Sequence, residues 1–333
     1  MYSDEDLDTA VKQGIFSATD VKTFRQRNAE NKASSIADEE NFKLIGGFND
    51  IFIVIACGLL LFSSFSVLES INASIAYVVF AILSWGLAEF FVLKRKMALP
   101  AIMLLIAFVG GVAGLSHSVL PMTSDFGPMM AASLSAIAAF MHWQRFSVPI
   151  TVAVAVAAFV GLIVSLLSAV IPEIENVLSP VIFICGLLVF AFAMVWDAAD
   201  TLRVNYRSDV AFWLHLLAAP LIIHPIFTGL DILKGDESLT NMVLVVALYL
   251  LLTFVSMCID RRVLMVSSLM YVIYALSGLI DRYGVVGSSF ALTGVLMGVM
   301  LLLLSAYWHS VRAILVGLLP NVVQNYVPKS KLI

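Results

Sequence analysis

The stretch "FWLHLLAAPLIIHPIFTGLD" (212–231) is apolar enough to sit in lipid, yet it holds His215, His224, Pro220 and Pro225 and closes on Asp231. Ionisable groups in hydrocarbon are costly, and they usually face a bundle interior or a wet cavity, where they bind a solute or relay protons. Each proline removes a backbone donor and opens the preceding turn. The carbonyls freed near 216 and 221 need partners, from neighbouring side chains or water. These features predict an interrupted helix lining a polar cavity. Walking outward from 210, His215 falls in the inner third, His224 at about 21 Å of rise, and Asp231 at the outer boundary. His117, in "GLSHSVLP", has a depth comparable to His224 on another segment. His117, His215, His224 and Asp231 are therefore the candidate substrate or proton site. The bland alternative is a kinked helix whose imidazoles bond to adjacent backbone. His215 and His224 are about 13 Å apart in rise and half a revolution out of phase, so a shared metal ion would demand a severe bend. No metal, cofactor or catalytic residue is expected.

The densest polar run is "WDAADTLRVNYRSDVAFWLH" (196–215). Asp197 and Asp200 stand at i, i+3, and Arg203 extends that row; Arg207 and Asp209 follow. These five are expected to form a cytoplasmic gate or a salt-bridge cluster pinning two helix ends. Glu89 with Lys94–Lys96, and Asp260 with Arg261 and Arg262, repeat the acid-then-base pattern. His142 and His309, beside Trp and Arg, read as interfacial side chains. No Walker A loop, GxSxG elbow, HExxH or CxxC is present.

The elements that must position these groups are membrane helices. Of 333 residues, 61% are hydrophobic and 13% charged, and the mean hydropathy is +1.00. Apolar runs long enough to cross a core of about 30 Å recur from residue 47. They predict about ten spans: 47–68, 72–93, 97–120, 126–143, 147–171, 177–197, 210–231, 240–259, 263–280 and 286–307. With a cytoplasmic N-terminus, only Lys234 and Arg282 of the 19 Lys and Arg lie outside, leaving 17 within. That bias sets orientation, and an even count returns the C-terminus to the cytoplasm. Trp143, Trp196, Trp213 and Trp308 fall at inner ends, as interfacial anchors. Gly110 with Gly114, and Gly294 with Gly298, are GxxxG pairs suited to close helix approach. "CGLLLF" (57–62) returns as "CGLLVF" (185–190), an arrangement compatible with an inverted repeat.

Residues 1–46 are polar and rich in charge, and no cleavable signal sequence is expected there. Ser3 with Asp6, and Ser17 with Asp20, are capping-box pairs in an Asp variant. Gly14 suits the end of the first of two short helices. The expected class is an all-α polytopic membrane helix bundle, N-in and C-in, with a cytoplasmic helical hairpin and connector (1–46). The ten-span transmembrane domain (47–309) follows, then an interfacial tail (310–333) in which "VRAILVGLLPNVVQNYV" is expected to form a short helix ended by Pro320. The net charge of −4 offers nucleic acid no basic face. Cys57, Cys185 and Cys258 lie in apolar runs without metal-ligand spacing.

"DLDTAVKQGIFSATDVKTFRQR" resembles the N-terminal hairpin of uncharacterised bacterial membrane proteins that carry a domain of unknown function. "RSDVAFWLHLLAAPLIIHP" resembles a segment of such proteins from proteobacteria. The resemblance implies a multi-pass protein of the bacterial inner membrane and brings no activity. The ten-span plan is similar in topology to that of drug/metabolite transporters. The leading functional expectation is a secondary-transporter-like permease for a small solute. The alternatives are a non-catalytic accessory, assembly or sensor subunit binding a protein partner through 1–46, and an intramembrane metal-dependent lipid hydrolase.

Overall fold

The computed structural model describes residues 48–120, 126–171, 174–201, 203, 205–230, 239–283, 289–324 and 326–328, together with 11, 13–17, 19–21 and 23. The described residues of the membrane domain form helices without strands. In chain order these are α1 (Phe48–Glu69), α2 (Ala73–Ala88, running on as a π-helical turn over Glu89–Lys94), α3 (Ala98–Val119), α4 (Gly127–Phe146) and α5 (Ile150–Val170). Then come α6 (Glu175–Ala198), α7 (Tyr206–Thr228), α8 (Leu239–Ile259), α9 (Val263–Tyr283), α10 (Ser289–Ala306), α11 (Trp308–Leu318) and α12 (Asn321–Gln324). Each interval expected from hydropathy coincides with one of α1 to α10. Among the described residues seven helices are long and apolar enough to cross a membrane, or eight if the bent pair α10 and α11 is one span. The protein is thus an all-α, multi-pass membrane bundle. The finer count falls short at two places. Helix α4 carries His142, Gln144 and Arg145 near its end, and the apolar part of α9 runs only over Val263–Gly278.

Neighbours in sequence pack as neighbours in space, with α6 against α7 the most extensive pair. One core joins α1, α2 and α3 around Leu61, Phe80 and Leu104, with Phe146 of α4 against it. A second joins α3, α4 and α5 through Leu105, Ala139 and Ile150. Helix α7 serves two further cores. Val210, Leu214 and Ala218 face α5 and α6, whereas Ile223 and Phe227 face α8 and α9. The most apolar window of α7 is 56% buried, against 11–39% for the other spans, so α7 is the internal helix.

The expected interruption of α7 does not occur: the helix continues through both Pro220 and Pro225. Packing explains why. A Cβ on Gly186 of α6 would lie 2.8 Å from the Leu221 carbonyl carbon and 2.9 Å from the Ile222 nitrogen. The α6 backbone therefore presses on the turn that Pro225 opens. Neighbouring helices supply such support in membranes. At the end of the helix Thr228 Oγ1 donates to the His224 carbonyl at 2.8 Å.

The small-residue pairs are also reassigned. Gly114 does pack, since a Cβ there would fall 2.1 Å from the Tyr77 ring, but its close partner on that face is Gly111, against Phe80 and Ala81. A Cβ on Gly110, Gly294 or Gly298 would meet nothing within 4 Å among the described residues. The face of a helix that is close-packed depends on how its neighbours sit, which i, i+4 spacing alone does not specify. The two "CGLL" stretches differ likewise: a Cβ on Gly58 would lie 3.6 Å from the Met103 side chain, whereas one on Gly186 would run into the Leu221 and Ile222 backbone.

In the N-terminal unit, Ser17 Oγ accepts from the Asp20 amide (3.1 Å) and donates to Asp20 Oδ2 (2.6 Å). Gly14 takes φ +73° and bonds back to the Val11 carbonyl. These are the expected cap and left-handed stop; Ser3 and Asp6 lie outside the described residues. Helix α11 turns 73° away from α10 and ends before Pro320, where the tail helix was expected.

Gly186→Val should lower the thermal unfolding midpoint of detergent-purified protein, because overpacking of this kind costs about 1–3 kcal/mol. Gly298→Val, facing open space, should leave the midpoint unchanged; equal effects would show that the α6–α7 approach is not tight.

Candidate functional site: a buried ion-pair network

Asp197, one residue from the end of α6, is 1% exposed. A carboxylate removed from water there needs several kilocalories per mole of compensation, and the fold supplies it from two other elements. Arg261, in the turn between α8 and α9, donates from Nη2 to Asp197 Oδ1 at 2.6 Å, with Nε 3.4 Å from Oδ2. His215 of α7, fully buried, places Nε2 2.8 Å from Oδ2. Opposite a carboxylate that nitrogen is the N–H donor, which leaves Nδ1 as an acceptor. Nδ1 is buried without a hydrogen-bond partner among the described residues, and the ring lies edge-on to Phe190 at 5.1 Å. Arg261 Nη2 also donates to the carbonyl (3.0 Å) and hydroxyl (3.2 Å) of Ser208 in the first turn of α7. Ser256 of α8 donates from Oγ to the Arg261 carbonyl, fixing that turn from behind.

A second exchange lies beside the first. Arg203, between α6 and α7, donates from Nη1 to Asp260 Oδ2 (2.8 Å) and from Nη2 to the Ile259 and Asp260 carbonyls (3.3 and 2.9 Å). Both residues hold left-handed backbone, φ +53° for Arg203 and +56° for Asp260. Non-glycine residues there cost on the order of 1–3 kcal/mol and persist where the surroundings over-determine them. The other Asp260 oxygen accepts from Trp308 Nε1 (2.8 Å) and lies 3.5 Å from Arg312 Nε, so α11 is tied to the same carboxylate. Arg312 also donates to the Pro328 carbonyl, and Arg262 stacks over the Trp308 ring at 4.8 Å. Burial, its largest influence, lowers the Arg203 pKa from the ordinary guanidinium value; Arg261 adds to this and the Asp260 carboxylate opposes it.

The local row expected along 197, 200 and 203 is therefore replaced by pairs between turns. Asp197 reaches a residue 64 positions on, and Arg203 one 57 positions on. Asp200 instead accepts the Asn205 amide at 2.8 Å, closing the loop before α7. Arg207 is exposed, and Asp209 is half-buried within the field of Arg261. Glu89 likewise pairs with Arg145 across to α4, at 2.8 and 2.7 Å, rather than with Lys94–Lys96. A helix C-terminus points its own neighbours away from one another, so acids find bases on the adjoining turn.

The proposed histidine group separates. His215 belongs to the ion-pair network. His224, about two and a half turns further along α7, is exposed and bonds through Nδ1 to the Tyr271 hydroxyl of α9 at 2.7 Å. Phe227 stacks on the same Tyr271 ring at 4.5 Å. His117 is exposed near the end of α3, and no hydrogen bond joins it to His224 among the described residues. Asp231 lies outside the described residues. His142 is fully buried rather than interfacial, with Nδ1 3.3 Å from Thr151 Oγ1 and its ring among Trp85, Phe108 and Phe146. Trp308 is buried too, as the donor to Asp260 rather than an anchor in headgroups. Arg261, Ser208, Trp308 and Arg312 join the site without a local motif; only the acid-base pattern at 260–262 hinted at it. Among the described residues no three His, Cys, Asp or Glu side chains converge.

No protein-family model matches the chain, no curated protein matches it in sequence, and no solved structure matches it. Fold and site together define a multi-pass helical membrane protein with a buried ionic network joining the turns α6–α7 and α8–α9 to α11.

Asp197→Ala strands Arg261 and should destabilise the protein by about 3–5 kcal/mol. The pair Asp197→Leu with Arg261→Met removes both charges and should recover much of that loss in the same detergent melt. Similar losses in single and double variants would show that the two side chains are not energetically coupled.

Proposed function

We propose that the protein is a secondary-transporter-like permease for a small solute, with ten spans, both termini cytoplasmic and the ion-pair network as its closed inner gate. The observation that carries this is Asp197, a buried carboxylate shared by Arg261 and His215 from two other elements. Apolar residues of similar volume would hold the helices as well or better, and a switch is the best-attested use of such buried pairs. A proton arriving at His215 Nδ1 would turn the ring into a second cation beside Arg261, both competing for one carboxylate. That changes the balance holding the two turns together. The inner assignment of this end follows from the Lys and Arg bias. The His224–Tyr271 pair supports an outer polar station between α7 and α9. The resemblance to bacterial membrane proteins supports placement in the inner membrane.

One observation favours the accessory reading as well: Ile15 and Phe16, at the turn of the N-terminal unit, are 63% and 50% exposed. Deleting residues 1–40 would abolish partner capture in that case and leave a permease's solute response intact.

The gate is tested by thiol labelling of Ser208→Cys in a background whose buried native cysteines are replaced by serine, reconstituted in liposomes. A membrane-impermeant reagent applied to the inner side should label slowly, and at least tenfold faster when Asp197→Asn is added. Labelling that ignores Asp197→Asn, in protein that melts normally, would overturn the gate. A solute screen by thermal shift tests the cargo, since a ligand at about 100 times its Kd stabilises by about 2.7 kcal/mol. Loss of that shift in His224→Ala is the expected result.

A further inference from the structure

The groove between α1 and α3, floored by α2, has a volume of about 580 Å³ and an almost wholly apolar lining. Phe62 and Phe65 form one wall, Tyr77 and Phe80 the floor, and Ile106 and Gly110 part of the other wall. Its lining on α3 runs from Leu99 to Gly111, about 18 Å of helical rise, and it opens sideways where lipid would be. Gly110 has nothing within 4 Å of a Cβ, which leaves that wall open.

The inner end of the groove meets a run of three bases. Leu99 lies three residues beyond Lys96, and Lys94, Arg95 and Lys96 are all exposed. Lys94 and Arg95 sit 5.8 and 5.7 Å from the Phe90 ring. The nearest candidate acid, Glu89, is taken by Arg145. None of the three bases forms a salt bridge among the described residues. An apolar channel that begins beside exposed cations free of salt bridges among the described residues, within a membrane-spanning chain, fits one chemistry.

We propose that this groove binds an anionic diacyl phospholipid, one acyl chain lying along α3 and the phosphate on Lys94, Arg95 and Lys96. Basic pockets between membrane helices recognise such headgroups, and each base contributes about fivefold in affinity. The site is separate from the ion-pair network and does not rest on the permease reading.

The test uses the full chain, delipidated in detergent, with binding read by native mass spectrometry and thermal shift. Phosphatidylglycerol should bind and stabilise, while phosphatidylcholine with the same chains and glycerol phosphate without chains should not. Lys94→Gln with Arg95→Gln and Lys96→Gln should weaken phosphatidylglycerol on the order of 100-fold. Gly110→Phe should fill the groove and abolish binding, with Gly298→Phe as a control facing open space. If Gly110→Phe misfolds, Ile106→Trp serves the same purpose. Equal binding of phosphatidylcholine, full competition by glycerol phosphate, or unchanged binding in the groove variants would each overturn the proposal. So would a dimer dispersed by Gly110→Phe, which would make the groove an interface between copies.

Discussion

A carboxylate buried at the end of a membrane helix cannot be left alone, and the arrangement of the α6–α7 and α8–α9 turns follows from that. Asp197 is 1% exposed and takes its charge partners from other elements. Arg261 must come from the α8–α9 turn and His215 from inside α7, which fixes α6, α7 and α9 relative to one another. Asp260, forced into left-handed backbone beside Arg261, then offers its own carboxylate to Arg203 and Trp308. Through Trp308 and Arg312 the constraint reaches α11, which bends off α10 to meet it. Two carboxylates thus organise four elements.

Helix α7 is the other half of this logic. It is the internal span, and its two prolines would weaken a helix standing in lipid. Here Gly186 lets α6 approach to backbone contact at the turn Pro225 opens, so the cost is met by packing rather than by a break. The outcome is an unbroken helix with a buried histidine at one level and an exposed one, bonded to Tyr271, at another.

Membrane helices were legible in the sequence because hydrocarbon demands long apolar runs with internally satisfied backbone, and α1 to α10 fall where hydropathy puts them. The Ser17 cap, the Gly14 stop and the tail helix were legible for the same kind of local reason. The polar site was only half legible. Asp197, Arg203 and His215 stand out by type, but their partners lie 64, 57 and 18 positions away in the chain. Tertiary structure alone decided that Arg203 turns to Asp260, that Glu89 turns to Arg145, and that Trp308 and His142 are buried. It also decided that Gly111, not Gly110, faces α2. Segment length and local charge are written along the chain, whereas the face a helix presents depends on its neighbours, and burial then dictates which charges must meet.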